Sequence, residues 1–120
     1  MALPLNYVAP DVAAAPQLTP EQMHELAAAG FRTVVNNRPD GEGGPQQPRN
    51  DDLRAAAQAA GLDYVYLPVQ SGHMTADNVT EFAQLLQDKP RPLVAFCRSG
   101  TRSANLYLLA ASEKSGGAKR

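Results

Sequence analysis

Pro92-Leu93-Val94-Ala95-Phe96-Cys97-Arg98-Ser99-Gly100-Thr101-Arg102-Ser103-Ala104-Asn105-Leu106-Tyr107-Leu108-Leu109-Ala110-Ala111 is the stretch that decides the fold. Pro92 to Phe96 is an apolar run that predicts a buried strand. Cys97 to Ser103 is a short loop containing glycine, and Ala104 to Ala111 predicts a helix. A strand that feeds a helix through a tight loop is a joint of an α/β fold. It also sets the chain's single cysteine at a helix N-terminus. Unpaired backbone N–H groups and the helix dipole favour negative charge there. A thiol so placed is expected to ionise easily, and the thiolate is its nucleophilic form.

Upstream, the same alternation repeats. Leu5 to Ala9 predicts a short first strand. Thr19-Pro20-Glu21-Gln22 predicts a helix start, with Thr19 as N-cap, Pro20 at the first helical position and Gln22 completing a capping box. Met23, Leu26 and Ala27 share one face of that helix, and Gly30 ends it. Phe31 to Asn36 predicts a strand, followed by a Gly- and Pro-rich loop from Asn37 to Gln47. A helix begins near Asn50-Asp51-Asp52, where acidic residues suit the dipole, and runs to Gly61. Leu62 to Val69 predicts another strand. Thr75 caps a helix carrying Val79, Phe82, Ala83 and Leu86 at helical spacing. Together these predict an α/β fold with a mainly parallel sheet flanked by helices. Residues 1–112 form a single domain, and the polar residues 113–120 are expected to be a flexible tail. Ligands bind such sheets at the carboxyl ends of the strands, where the loop after Phe96 lies.

Composition narrows the function. A chain of 120 residues fits one domain. Eleven basic residues against twelve acidic ones leave a net charge of −1, so no nucleic-acid partner is expected. No apolar run approaches the roughly 18 residues that span a bilayer, so no membrane partner is expected either. Met1 to Asn6 lacks the charged and apolar regions of a signal peptide. One cysteine excludes an internal disulfide and suits a reducing compartment, so the expected localisation is cytoplasmic. His24, His73 and Cys97 are too few and too scattered to predict a metal site. No cofactor is expected.

The loop residues point to an oxyanion. Backbone N–H groups of a tight loop converge on one anion, and Gly100 permits the angles this requires. Arg98, Ser99, Gly100 and Thr101 are therefore the candidate anion-binding loop. Arg102 supplies a bidentate guanidinium fork. Ser103 is expected to donate a hydrogen bond to the cysteine sulfur. Cys97, Arg102 and Ser103 are the candidate catalytic residues, with Arg98 at the loop mouth. Arg38 and Asp40, on the long loop, are candidates for an acid or a substrate contact. Glu42 reads as a solvated loop carboxylate, and His73 as an exposed loop histidine.

Two known families place Cys and Arg on such a loop. Tyrosine and dual-specificity phosphatases carry His-Cys, five residues, then Arg and Ser or Thr. Rhodanese-type sulfurtransferases carry Cys-Arg-x-Gly-x-Arg/Thr, and Cys97 to Arg102 resembles that shorter loop. The rest of the chain resembles the phosphatases. Phe31-Arg32-Thr33-Val34-Val35-Asn36-Asn37-Arg38-Pro39-Asp40 is similar to their "Thr-Val-Ile-Asn-x-Arg-Pro" strand, and Tyr64-Val65-Tyr66-Leu67-Pro68-Val69 to their "Tyr-x-x-Ile-Pro-Val" strand. The combination resembles the phosphatase-like domain of beta-lactamase-hydrolase-like proteins, over about Leu5 to Ala111. The resemblance implies a protein-tyrosine/dual-specificity-phosphatase-like fold. It also implies a possible partnership with a persulfide dioxygenase, to which such domains are sometimes fused.

The family has carried both labels, phosphatase and sulfurtransferase. Three departures from the phosphatases favour sulfur transfer. Phe96 stands where they carry His, and only four residues separate Cys97 from Arg102. The usual aspartic acid after the "Pro-Val" strand is replaced by Gln70-Ser71-Gly72-His73. A phosphatase needs an acid for its leaving oxygen, worth roughly 10²–10⁴-fold, whereas sulfite or a thiolate departs unaided. The sequence thus favours a rhodanese-like sulfurtransferase that takes sulfur from a small sulfur-containing anion such as thiosulfate, or from a low-molecular-weight persulfide such as glutathione persulfide. Cys97 would hold the sulfur as a persulfide and pass it to a thiol. The alternative is a cysteine-dependent phosphatase working through phosphocysteine. A third reading is a non-catalytic anion-binding or partner-docking module.

Overall fold

The computed structural model describes residues 3–118, with side chains as far as Ser112. A hairpin of β1 (Asn6–Ala9) and β2 (Val12–Ala15) opens the fold. It is followed by α1 (Gln22–Ala28), β3 (Thr33–Asn36), α2 (Asn50–Ala59), β4 (Asp63–Tyr66), α3 (Ala76–Asp88), β5 (Leu93–Phe96) and α4 (Thr101–Ala118). The five strands lie in the order β1-β2-β5-β3-β4. β1 and β2 are antiparallel, and every other pairing is parallel. This is the mainly parallel, helix-flanked sheet that the sequence predicts.

β5 is the central strand. Leu93 to Phe96 pair in step with Val12 to Ala15 on one side and with Thr33 to Asn36 on the other. All residues of β2, β3 and β5 are buried, as expected of parallel strands covered on both faces. On one face Ala13, Ala15, Val34, Val94 and Phe96 pack with Met23 and Leu26 of α1 and Leu53 and Ala57 of α2. On the other, Val12, Val35, Leu93 and Ala95 meet Val79, Phe82 and Leu86 of α3 and Leu106 and Ala110 of α4. Alternate residues of one strand thus serve two separate cores.

The structure departs from the expected elements in several places. β2 is absent from the sequence reading, because alanine has low strand propensity and Val12-Ala13-Ala14-Ala15 does not alternate. Small side chains suit this strand, which lies against the loop after β5. At α1, the Gln22 side chain does accept from the Thr19 backbone N–H at 2.9 Å, one half of the expected capping box. The helix itself starts only at Gln22, and no side chain caps it. At α3 both halves of a capping box form between Thr75 and Asn78. α4 continues as backbone helix to Ala118, past the predicted end near Ala111; no proline interrupts it. The tail expected over 113–120 falls on residues whose side chains lie outside those described.

Phe96 is fully buried at the end of β5, directly before the cysteine. Phe96→Ala is expected to lower the unfolding free energy by about 3–5 kcal/mol in urea titrations followed by circular dichroism. A loss under about 1 kcal/mol would mean that the first core does not close on this ring.

Candidate active site

The loop between β5 and α4 is fastened at its start to the end of β2 and the residues just after it. The Cys97 N–H donates to the Ala15 carbonyl at 3.2 Å, and the Gln17 N–H to the Arg98 carbonyl at 3.2 Å. Gly100 has φ +94°, and a Cβ built there would come within 3.2 Å of the Ala15 carbonyl carbon. Conformation and space both require glycine. This turn aims the Gly100 N–H at the Cys97 Sγ, 3.1 Å away. The thiol is 1% exposed and lies at the N-terminal turn of α4.

Arg102, in the first turn of α4, is held rigidly. One terminal nitrogen donates to the Val69 carbonyl at 3.0 Å and to Glu42 Oε2 at 3.0 Å, and the other to Glu42 Oε1 at 3.1 Å. Glu42 also accepts from Arg38 Nε at 2.9 Å, and Arg38 in turn donates to Gln17 Oε1 at 3.1 Å. One carboxylate therefore spans two guanidinium groups. Partial burial pushes the Glu42 carboxyl up, but the hydrogen bonds and charges of Arg102 and Arg38 outweigh this and hold it below its ordinary value.

Ser103 does not serve the sulfur. Its hydroxyl donates to Asn37 Oδ1 at 2.8 Å, which corrects the bond to Cys97 expected from the sequence. The cause is the orientation of Asn37. Its Nδ2 donates to the Leu67 carbonyl at 2.9 Å, so its Oδ1 faces Ser103. Both residues are buried, where an amide oxygen without a donor is costly.

The remaining candidates are distributed unequally. Arg98 and Ser99 are exposed, and the Arg98 guanidinium has no hydrogen bond or ion pair among the described residues. Arg38, Arg98 and Arg102 line a cleft of about 490 Å³ together with Glu42. Arg98, Ser99, Thr101 and Arg102 also line a wider, neighbouring cleft of about 1010 Å³. Cys97 lines neither. Asp40 is also apart from both clefts: its Oδ1 accepts from the Asn50 N–H at 2.7 Å, at the start of α2. His73 is exposed, although its neighbours Gly72 and Met74 line the wider cleft. Among the described residues no group of three or more His, Cys, Asp or Glu is placed to hold a metal ion.

The long loop after β3 is anchored by two tyrosines of β4. Tyr66 accepts from the Asp40 N–H at 2.9 Å. Tyr64 accepts from Asn36 Nδ2 at 3.0 Å and donates to Asn50 Oδ1 at 2.8 Å, and burial raises its pKa. These anchors fix the loop that brings Glu42 to Arg102.

Residues 4–113 match the family described as beta-lactamase hydrolase-like protein, phosphatase-like domain. The chain belongs to this family. A beta-lactamase hydrolase-like protein of Agrobacterium fabrum is 42% identical over 84 residues, which cover 70% of this chain and 19% of the relative. One from Xylella fastidiosa is 37% identical over 89 residues, covering 74% of this chain and 20% of the relative. The chain therefore spans about a fifth of the curated relatives it matches. Among solved structures, a "putative phosphatase" of Neisseria meningitidis is similar at 29% identity and TM-score 0.80, over 89% of this chain and 75% of that one. A second, from Shewanella putrefaciens, is 25% identical with TM-score 0.76, over 90% of this chain and 70% of that one. The fold is that of the tyrosine and dual-specificity phosphatases, and the domain is phosphatase-like.

Three contributors to the site are not evident in the sequence: Glu42, which clamps Arg102, Asn37, which holds Ser103, and Gln17, which braces Arg38. The signal for the first two was their place in Asn36-Asn37-Arg38-Pro39-Asp40-Gly41-Glu42, one of the two segments with the strongest family resemblance. Gln17 carries no such signal.

Gly100→Ala is expected to cost roughly 1–3 kcal/mol in urea titration, since strain at φ +94° adds to the close approach to Ala15. A change within about 0.5 kcal/mol would contradict the loop geometry. Glu42 yields a pH test. Its pKa is lower folded than unfolded, so its ion pairs stabilise the fold above the ordinary glutamate range. That contribution is lost as pH falls through the lowered value. Wild-type protein is expected to have a higher Tm than Glu42→Gln at pH 7, with the gap closing below about pH 4. A gap independent of pH would show that the carboxylate charge is not what matters.

Proposed function

We propose that the domain hydrolyses phosphomonoesters through a phosphocysteine on Cys97. The observation that carries this reading is the Cys97 thiol accepting a loop N–H, five positions before an arginine whose fork is fixed by Glu42 and Val69. The likeness over most of the chain to two structures described as phosphatases adds weight to phosphoryl transfer. The sulfur atom attacks phosphorus, the P–O ester bond breaks, and its electron pair leaves with the ester oxygen, which takes a proton from water. Arg102 and the loop N–H groups stabilise the phosphoryl oxygens. A second water then attacks phosphorus, the S–P bond breaks, and inorganic phosphate leaves with the thiolate restored. The lone thiol requires a reducing, cytoplasmic setting to remain available.

The carboxylates of the long loop give this chemistry a restricted range. Glu42 is held ionised between two arginines, and Asp40 is engaged by the start of α2. With Glu42 ionised and Asp40 outside both clefts, the best substrates are esters whose leaving group departs without a proton, such as aryl phosphates.

A second reading is favoured by the same observation. Sulfur transfer needs no acid, and the four-residue interval between Cys97 and Arg102 is the rhodanese one. Cys97 would then take the outer sulfur of thiosulfate or a persulfide, releasing sulfite or a thiolate. A persulfide dioxygenase would be a natural consumer of the product. If neither group is transferred, the site is an anion-binding or docking module.

Cys97→Ser is expected to abolish p-nitrophenyl phosphate hydrolysis, and Arg102→Lys to lower kcat/KM by about 10²–10³. Across substituted phenyl phosphates the rate should fall steeply as the leaving-group pKa rises. Mass spectrometry after thiosulfate treatment decides the alternative. A sulfur adduct on wild-type protein but not on Cys97→Ala, without phosphate release, would replace the phosphatase reading with sulfur transfer.

A further inference from the structure

Three large apolar side chains are more than half exposed among the described residues: Tyr7 at 57%, Leu108 at 57% and Leu109 at 51%. Two of the three, Leu108 and Leu109, line the wider cleft, and the same cleft is lined by Arg98, Arg102 and Met74. This is a continuation of one helix face. Ser103, Leu106 and Ala110 turn α4 into the protein, while Arg102, Asn105 and Leu109, at i, i+3 and i+7, lie along the cleft. Seven residues of helix separate Arg102 from Leu109, a distance of about 10 Å. Met74, at the foot of α3, packs partly against the second core and closes the apolar end. Arg98, whose guanidinium has no partner among the described residues, stands at the charged end.

We infer that this cleft selects substrates with an anionic group at one end and an apolar body at the other, the body lying on Leu108, Leu109 and Met74. The inference rests on the phosphatase reading only for the identity of the anion. A purely polar phosphoester would leave two leucines in water beside its binding site, whereas an apolar body of about 10 Å would cover them. Exposed apolar surface beside a built polar site is the usual mark of such recognition. Selectivity is then written on α4, whose first turn holds the anion-binding arginine and whose third turn holds the apolar wall.

The test compares 4-methylphenyl phosphate with 4-butylphenyl phosphate, whose leaving groups are nearly equal in pKa. Wild-type protein is expected to show a KM about tenfold or more lower for the butyl ester, since three methylenes are buried. In Leu108→Ser/Leu109→Ser the ratio of the two KM values should approach one, with far-UV circular dichroism confirming an unchanged helix content. Equal KM values in wild-type protein, or a preference that survives the double substitution, would overturn the inference and assign the leucines to a protein partner. Calorimetry with 4-methylbenzylphosphonate and 4-butylbenzylphosphonate separates this outcome from failure of the phosphatase reading. If wild-type protein hydrolyses neither ester, the phosphatase reading is judged on p-nitrophenyl phosphate, whose leaving group needs no acid, and it fails if that ester is not hydrolysed either. The phosphonate affinities then decide the inference: about tenfold tighter binding of the butyl compound sustains it, and equal affinities overturn it.

Discussion

Four hydrogen bonds made by one buried asparagine tie the sheet to the site. The Asn37 N–H donates to the Phe96 carbonyl at 2.8 Å, and its own carbonyl accepts from Val69 at 2.9 Å. Its side chain donates to Leu67 and accepts from Ser103. The residue thus joins the ends of β3 and β5, the segment leaving β4 and the first turn of α4. No other amino acid of similar size offers one donor and one acceptor on a planar side chain. An aspartate would lose the donor to Leu67, and a leucine would strand both Ser103 and the Leu67 carbonyl in a dry interior. The knot holds both ends of the stretch that carries Cys97, Phe96 before it and Ser103 after it, although Asn37 lines neither of the two clefts at the loop.

A second constraint is electrostatic. Two arginines facing one cleft repel each other unless an anion lies between them, and Glu42 supplies it from within the chain. The result is a fork that is oriented in advance, since Arg102 is bonded to a carboxylate on one side and to the Val69 carbonyl on the other. Rigid donors need no reorganisation when charge develops on a substrate. The same pairing removes Glu42 from service as a proton donor. Orientation of the cation and supply of an acid compete for one side chain, and here orientation prevails.

The sequence made the local parts of this arrangement legible. Cys97, Gly100 and Arg102 lie on one contiguous loop, and an apolar run before it and a helical run after it fix their surroundings. α3 was visible through Thr75 and the spacing of Val79, Phe82 and Leu86. What escaped depends on distant contacts. Glu42 and Arg102 are 60 positions apart, and Asn37 and Ser103 are 66 apart. A carboxylate in a Gly-rich loop reads as solvated until the fold shows what faces it. β2 escaped because its alanines contradict strand propensity. Ala13 and Ala15 are held in the strand by packing in the first core and by pairing with β5, a tertiary requirement that overrides local preference. Ser103 reads in the sequence as the last residue of the loop but lies in the first turn of α4, which starts at Thr101, and its acceptor is Asn37 because the orientation of that amide depends on Leu67.

The strand order has a consequence for how the protein is made. β5 is the last strand in the chain and the middle one in the sheet, lying between β2 and β3. Until it emerges from the ribosome, the preceding residues offer two separate ribbons, β1-β2 and β3-β4, with facing edges that have nothing to pair with. Pairing of Leu93 to Phe96 joins the ribbons and sets Cys97 at the end of the central strand, and Leu106 and Ala110 of α4 then close the second core. Cys97 directly follows Phe96, so the loop that holds it takes its place only when β5 has joined the two ribbons.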